Sequence, residues 1–152
     1  MLARAGWTPD RRIDPIRVTD ALKQAGFDVL PIQTEFLTTY GGITLNNCSP
    51  RPRSDNTLSF DVLTVLARLG KSYADLLTVY EAPDSGLACS LIGMTSPQYA
   101  APFITDDDAI LMLSETGTVY ATVGFGDYLV GRSPDEAIDR ICRELPWESL
   151  PD

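Results

Sequence analysis

The sequence predicts an α+β fold: a single domain with a central mixed or antiparallel sheet packed by helices. Three observations predict it. Capped, amphipathic helix patterns stand near both ends of the chain. Short apolar runs lie between them, two of them joined by a glycine turn. The regular strand–helix alternation of a doubly wound sheet is missing. The 152 residues are the usual length of one domain and suffice for a core without staples, so residues 1–152 are read as one unit.

The first helix is expected from Asp14, an N-cap residue, with Pro15 at the first helical position. Ile13 and Val18 stand at the two places of a hydrophobic staple. Val18, Ala21, Leu22 and Ala25 form its apolar stripe, and Gly26 is the natural stop. Trp7 is expected to pack under this helix. A second helix opens near Pro31, runs through Phe36 and Leu37, and ends at Gly41-Gly42, one of which supplies a left-handed residue. Ile43 to Leu45 and Leu58 to Phe60 are short strand candidates, and residues 46–56, rich in turn formers, read as a surface loop between them. Asp61 to about Tyr80 is mostly helical in pattern, with a break at Gly70. Ala109 to Leu113 and Thr118 to Val123 flank Ser114-Glu115-Thr116-Gly117 and read as a hairpin, with Gly117 free to take φ > 0. The last helix opens on a capping box, Ser133-Pro134-Asp135-Glu136, and buries Ala137, Ile138, Ile141, Cys142 and Leu145 before Pro146 stops it.

Composition excludes several kinds of chemistry. The chain has no histidine, so it can build no Ser-His-Asp or Cys-His unit and no His-based zinc site. Cys48, Cys89 and Cys142 are too few and too scattered for a disulfide framework. They fit a reducing cytosol, where buried thiols act as small hydrophobes. No stretch approaches the ~18 apolar residues that span a membrane, and the first residues show no signal-peptide core. The expected location is cytoplasmic. The formal net charge of −9 argues against gripping nucleic acid through its phosphates.

That charge is uneven. Residues 1–53 carry a net +2, and residues 54–152 a net −11. An acidic surface keeps a protein soluble, and it can also steer a basic partner. Asp106-Asp107-Asp108 is the densest run. Three consecutive side chains do not converge on a cation, and the EF-hand spacing is absent, so a solvated loop or a partner contact is the better reading. Gly124-Phe125-Gly126-Asp127 follows a strand but lacks the Lys-Ser or Lys-Thr of a phosphate loop, so it reads as a turn. Cys142 falls on the apolar face of the last helix, where core packing is its default role. Trp7 and Trp147 could anchor an interface, but a tryptophan near a terminus more often seals a core edge. Glu81 with Asp84 is no evidence of acid–base catalysis in so acidic a chain. No enzyme, metal site or cofactor is expected.

The succession of short motifs carries more than any one of them. Gly6-Trp7 is followed by Arg11-Arg12 and by a helix ending at Gly26-Phe27. Phe36-Leu37 then runs into Gly41-Gly42-Ile43. Phe60-Asp61 and the strand Leu91-Ile92-Gly93-Met94 come next, then Gly117-Thr118-Val119-Tyr120, and last Gly131 and Ser133 with Glu136-Ala137. This order, from about Gly6 to Cys142, resembles the third family of the SUKH superfamily of bacterial immunity proteins. Two departures stand out: Val62 follows Phe60-Asp61 where that family usually has proline, and the strand at Leu91 also lacks a usual proline. The shared residues are mostly fold-forming. The resemblance implies a binding protein without catalysis, which blocks the toxic domain of a polymorphic or contact-dependent toxin, often a nuclease or deaminase. A basic toxin domain would suit the acidic surface. Loop position and charge select Glu81, Asp84, Asp106, Asp107, Asp108, Asp127 and Tyr128 as the expected contacts. The resemblance also allows a regulatory or scaffolding module unrelated to a toxin. A carboxylate-based metal hydrolase is a third reading, and it would require bound divalent metal and turnover.

Overall fold

The computed structural model describes residues 7–46, 57–95, 109–123, 126–143 and 145–151. Among them are five helices and seven strands. Residues 47–56 of the expected loop, with Cys48, the acidic run Asp106–Asp108, and Gly124-Phe125 lie outside the described residues.

Helix α1 spans Ile16–Gln24, one residue later than expected. Asp14 still closes its start, because its Oδ1 accepts a hydrogen bond from the Ile16 N–H at 3.1 Å. At its end the Gly26 N–H donates to the Lys23 carbonyl and the Phe27 N–H to the Leu22 carbonyl, with Gly26 at φ +94°. This is a Schellman closure, and it brings the buried Phe27 and Leu22 together. Helix α2 spans Pro31–Tyr40, with proline in its first turn. Gly42, at φ +81°, is the left-handed residue after it, not Gly41. The Arg11 guanidinium closes the same end, donating to the carbonyls of Thr39 and Gly41 at 2.8 Å each. The Ile13 N–H donates to the Thr38 carbonyl. These bonds bring the first described residues to α2, and Trp7 stacks on Tyr40 of that helix, 6.0 Å between ring centres.

The expected break at Gly70 divides the middle segment into α3 (Val62–Arg68) and α4 (Lys71–Thr78). Asp61 caps α3, accepting from the Thr64 N–H at 3.3 Å. The last helix, α5, spans Pro134–Cys142, and its Ser133 cap accepts from the Glu136 N–H at 3.2 Å. The reciprocal bond reaches one residue further back than a capping box requires: Glu136 accepts from the Arg132 N–H at 3.0 Å. Ala137, Ile138, Ile141 and Cys142 are buried as the pattern predicts, while Leu145 is half-buried.

The strands are β1 (Thr44–Asn46), β2 (Thr57–Ser59), β3 (Cys89–Thr95), β4 (Ala109–Ser114), β5 (Val119–Val123), β6 (Gly126–Gly131) and β7 (Glu148–Ser149). They form one open sheet in sequence order, antiparallel at each step. Two strands depart from the sequence expectation. Of the turn expected at residues 124–127, the described residues Gly126 and Asp127 are the start of β6, where Asp127 pairs with Thr122. The end strand β7, two residues long, has no sequence signal of its own.

Every residue of β3 and β4 is buried, so the sheet is covered on both faces. Phe36 of α2 and Ile138 and Ile141 of α5 meet Ile92, Leu111 and Val119 on one face. Tyr120, the next residue after Val119, points to the other face, which lies under the segment joining α4 to β3. A bulge between Leu91 and Gly93 interrupts the β3–β4 register. Gln33, fully buried, donates from Nε2 to the Leu91 carbonyl there at 2.7 Å and accepts from the Leu30 N–H at 3.2 Å. One side chain thus satisfies a strand carbonyl and the first turn of α2.

Candidate partner-binding surface

The segment between α4 and β3 is a short, self-bonded loop. The Ala82 N–H donates to the Leu87 carbonyl, and the N–H groups of Ser85 and Gly86 donate back to the Ala82 carbonyl. Ala82 is buried beneath the loop, and Gly86 takes φ +69° at the turn. Its start and end are joined by a bridge between Glu81 and Ala88. This closure leaves Glu81 and Asp84 exposed.

Two tyrosine–aspartate bonds fasten the loop to the sheet, in opposite directions. Tyr120 of β5 donates its hydroxyl to Asp84 Oδ1 at 2.6 Å. Tyr80, at the start of the loop, donates to Asp127 Oδ1 of β6 at 3.0 Å. Burial, then the bond and charge of Asp84, push the Tyr120 phenol up to about 12. Burial, then Asp127, push Tyr80 up as well. Both phenols therefore remain protonated donors at neutral pH, and each holds a carboxylate in one place. The Asp127 side chain is half-buried, so one flank stays open.

Cys89, at the start of β3, is buried beside this loop. Burial raises its thiol to about 12, and the charges of Asp84, Glu115 and Glu81 add to that rise. Burial is the main cause, and the negative charge of the loop and of the β4–β5 turn works in the same direction. Sequence reasoning missed Glu115, because only the pairing of Cys89 with Ser114 brings that turn beside the loop. It also missed Tyr80 and Tyr120 as the groups that fix the carboxylates.

Of the expected contacts, Glu81, Asp84 and Asp127 are brought to this side of the molecule. Tyr128 is not. It pairs with Ala121 on the opposite face of the sheet, its ring lies 6.1 Å from that of Trp147, and it is 2% exposed. Strand alternation reverses the direction of adjacent side chains, so Tyr128 builds the core and offers no contact area. Trp147 is buried with it, as a sealing role requires.

A groove of about 360 Å³ lies elsewhere, beside Thr44, Ser59, Asp61, Thr64 and Met94. Its polar groups largely bond one another: Thr44 to Ser59 at 2.9 Å and Thr64 to Asp61 at 2.8 Å. Among the described residues, no group of three or more cysteines and carboxylates could hold a metal ion. No helix among them is long and apolar enough to cross a membrane.

No curated protein and no solved structure matches this chain significantly. The model of the SUKH-3 immunity protein family matches residues 1–144, from before Trp7 to beyond the last helix, and the chain belongs to that family.

Proposed function

We propose that this protein acts in the bacterial cytoplasm as a stoichiometric inhibitor, binding a cognate toxin domain and covering the surface that the toxin uses on its substrate. Membership of an immunity protein family carries this reading. The toxin domain is basic, as a nuclease or a nucleic-acid deaminase is where it holds phosphates. The contacts are Glu81, Asp84 and Asp127, with Asp106, Asp107 and Asp108 from outside the described residues. What favours the loop is that Asp84 and Asp127 are held by tyrosine hydroxyls before any partner arrives. Preorganised charge loses less side-chain freedom on binding. The protein acts by occupancy and turns nothing over.

The test is co-expression with the C-terminal domain of the protein encoded directly beside it, followed by calorimetry of the purified pair. A 1:1 complex is expected, with an association rate that falls as salt rises. Charge reversal at Glu81 and at Asp106–Asp108 should slow association and flatten the salt dependence. An affinity and salt slope unchanged by those reversals would remove the acidic surface from the proposal. Absence of any complex would remove the toxin partner.

A further inference from the structure

We infer that Leu76 and Val79 are the apolar anchors of the partner interface, and that the acidic loop beside them is its rim. The inference rests on the toxin-binding reading and locates the centre of that contact. Among the described residues only Ile16, Leu76 and Val79 are large apolar side chains left exposed, and Leu76 and Val79 are the most open, at 67% and 73%. Leu76 lies in the last turn of α4, and Val79 is the C-cap residue that follows the helix, three positions on.

The fold does not need them. The buried anchor of α4 is Leu77, and Tyr73, Ala74 and Thr78 add half-buried area. Val79 closes no cap through its side chain, and its exposed position gives the fold no packing reason for valine. Single exposed apolar residues are ordinary. Here two adjoin, and the chain runs directly from them into the acidic loop. Asp75 precedes Leu76, and Glu81 and Asp84 follow Val79, all exposed. The cation of this helix, Lys71, stands at its other end. An apolar centre with an acidic rim is the anatomy of a protein interface. Its complement is an apolar pocket bordered by Lys and Arg on a basic protein domain.

Centre and rim separate kinetically. Rim charge sets the association rate and its salt dependence, whereas a desolvated apolar centre sets the dissociation rate. The experiment measures binding to the neighbouring gene's C-terminal toxin domain by surface plasmon resonance, from ~50 to ~300 mM salt. In the double variant Leu76→Ala, Val79→Ala, koff should rise roughly 30-fold, with kon and salt slope within about twofold of the parent. Alanine favours helix and both sites are open, so matching circular dichroism spectra are expected. Glu81→Lys should do the opposite, lowering kon and flattening the slope. Ile16→Ala, on α1, should change neither. An unchanged koff in the double variant, with the parent still binding, overturns the anchors and leaves the toxin reading standing. An equal effect from Ile16→Ala overturns the location. A homodimer of the protein alone, dissolved by the double variant in light scattering, assigns the face to self-association and overturns the inference. No binding by the parent overturns the toxin reading and the anchors with it.

Discussion

Gly131→Ala should be among the costliest single-methyl additions in this fold. Gly131 ends β6, where the first turn of α5 lies directly on the strand. A Cβ there would sit 2.5 Å from the Ala137 nitrogen, 2.8 Å from its Cα and 3.0 Å from the Glu136 carbonyl carbon. Carbon contacts are comfortable at about 3.5 Å, so α5 must retreat by about 1 Å. All three obstructing atoms are backbone, so no rotamer change can relieve them. Overpacking costs roughly 1–3 kcal/mol, and a rigid obstruction puts this site at the upper end, about 3 kcal/mol. For a domain of this size that lowers Tm by roughly 6–12 °C. Gly131 is not among the glycines with positive φ, so backbone strain plays no part. Urea unfolding followed by circular dichroism measures the loss. Gly86→Ala is the contrasting control: φ is +69° and nothing lies within reach of the new methyl, so only the left-handed conformation counts, about 1–2 kcal/mol. Ala137→Gly should fail to rescue Gly131→Ala, because the contact is with main-chain atoms. A loss below about 1 kcal/mol, or rescue by Ala137→Gly, would refute the close-approach argument.

Three further outcomes follow from particular contacts. Gln33→Leu leaves the Leu91 carbonyl buried without its donor and removes the bond to Leu30, so urea unfolding should show a loss of about 3 kcal/mol. Tyr120 and Tyr40, the latter raised by burial and by Asp135, ionise near 12 in the folded protein, against an ordinary value near 10. The unfolded chain therefore releases these protons first, and stability should be intact below pH ~10 and fall as pH rises through ~12. Thermal melts across that range check it, and constant stability would contradict the buried phenols. Cys89 and Cys142 are both buried, and Cys89 is also pushed up to about 12. A Cys48→Ser variant should thus react with a thiol reagent such as Ellman's only after unfolding.

The elements that were legible in the chain depend on neighbours a few residues away. Ser133 and Asp61 cap the helices that follow them, Gly26 and Gly42 take the left-handed conformation after α1 and α2, and Gly117 turns the β4–β5 hairpin at φ +91°. Strand β6 escaped because glycines bound both its ends and resemble turn signals. Motif glycines looked alike in sequence and divide in space. Gly26, Gly42 and Gly117 serve by positive φ, while Gly93 and Gly131 serve because another backbone occupies the place of a side chain: Ser59 of β2 in one case, α5 in the other.

The sequence by itself determined the helix ends, the hairpin, the exclusion of histidine chemistry and the acidic bias after residue 53. All of these follow from local dihedral preferences, short-range hydrogen bonds or plain composition. Which acids meet was decided by the tertiary structure. The turn that carries Glu115 comes beside the start of β3 only through the β3–β4 register, and Asp127 and Asp84 are fastened by tyrosines 47 and 36 residues away. Tyr128 turned inward because strand parity sends it opposite to its neighbour Asp127. Leu76 and Val79 are apolar residues of the kind that fill the core, and only the packing of α4 on Leu77 shows that they are exposed. Register, face and exposure are long-range properties of the sheet, set by pairings between segments that carry no mark of one another in the chain.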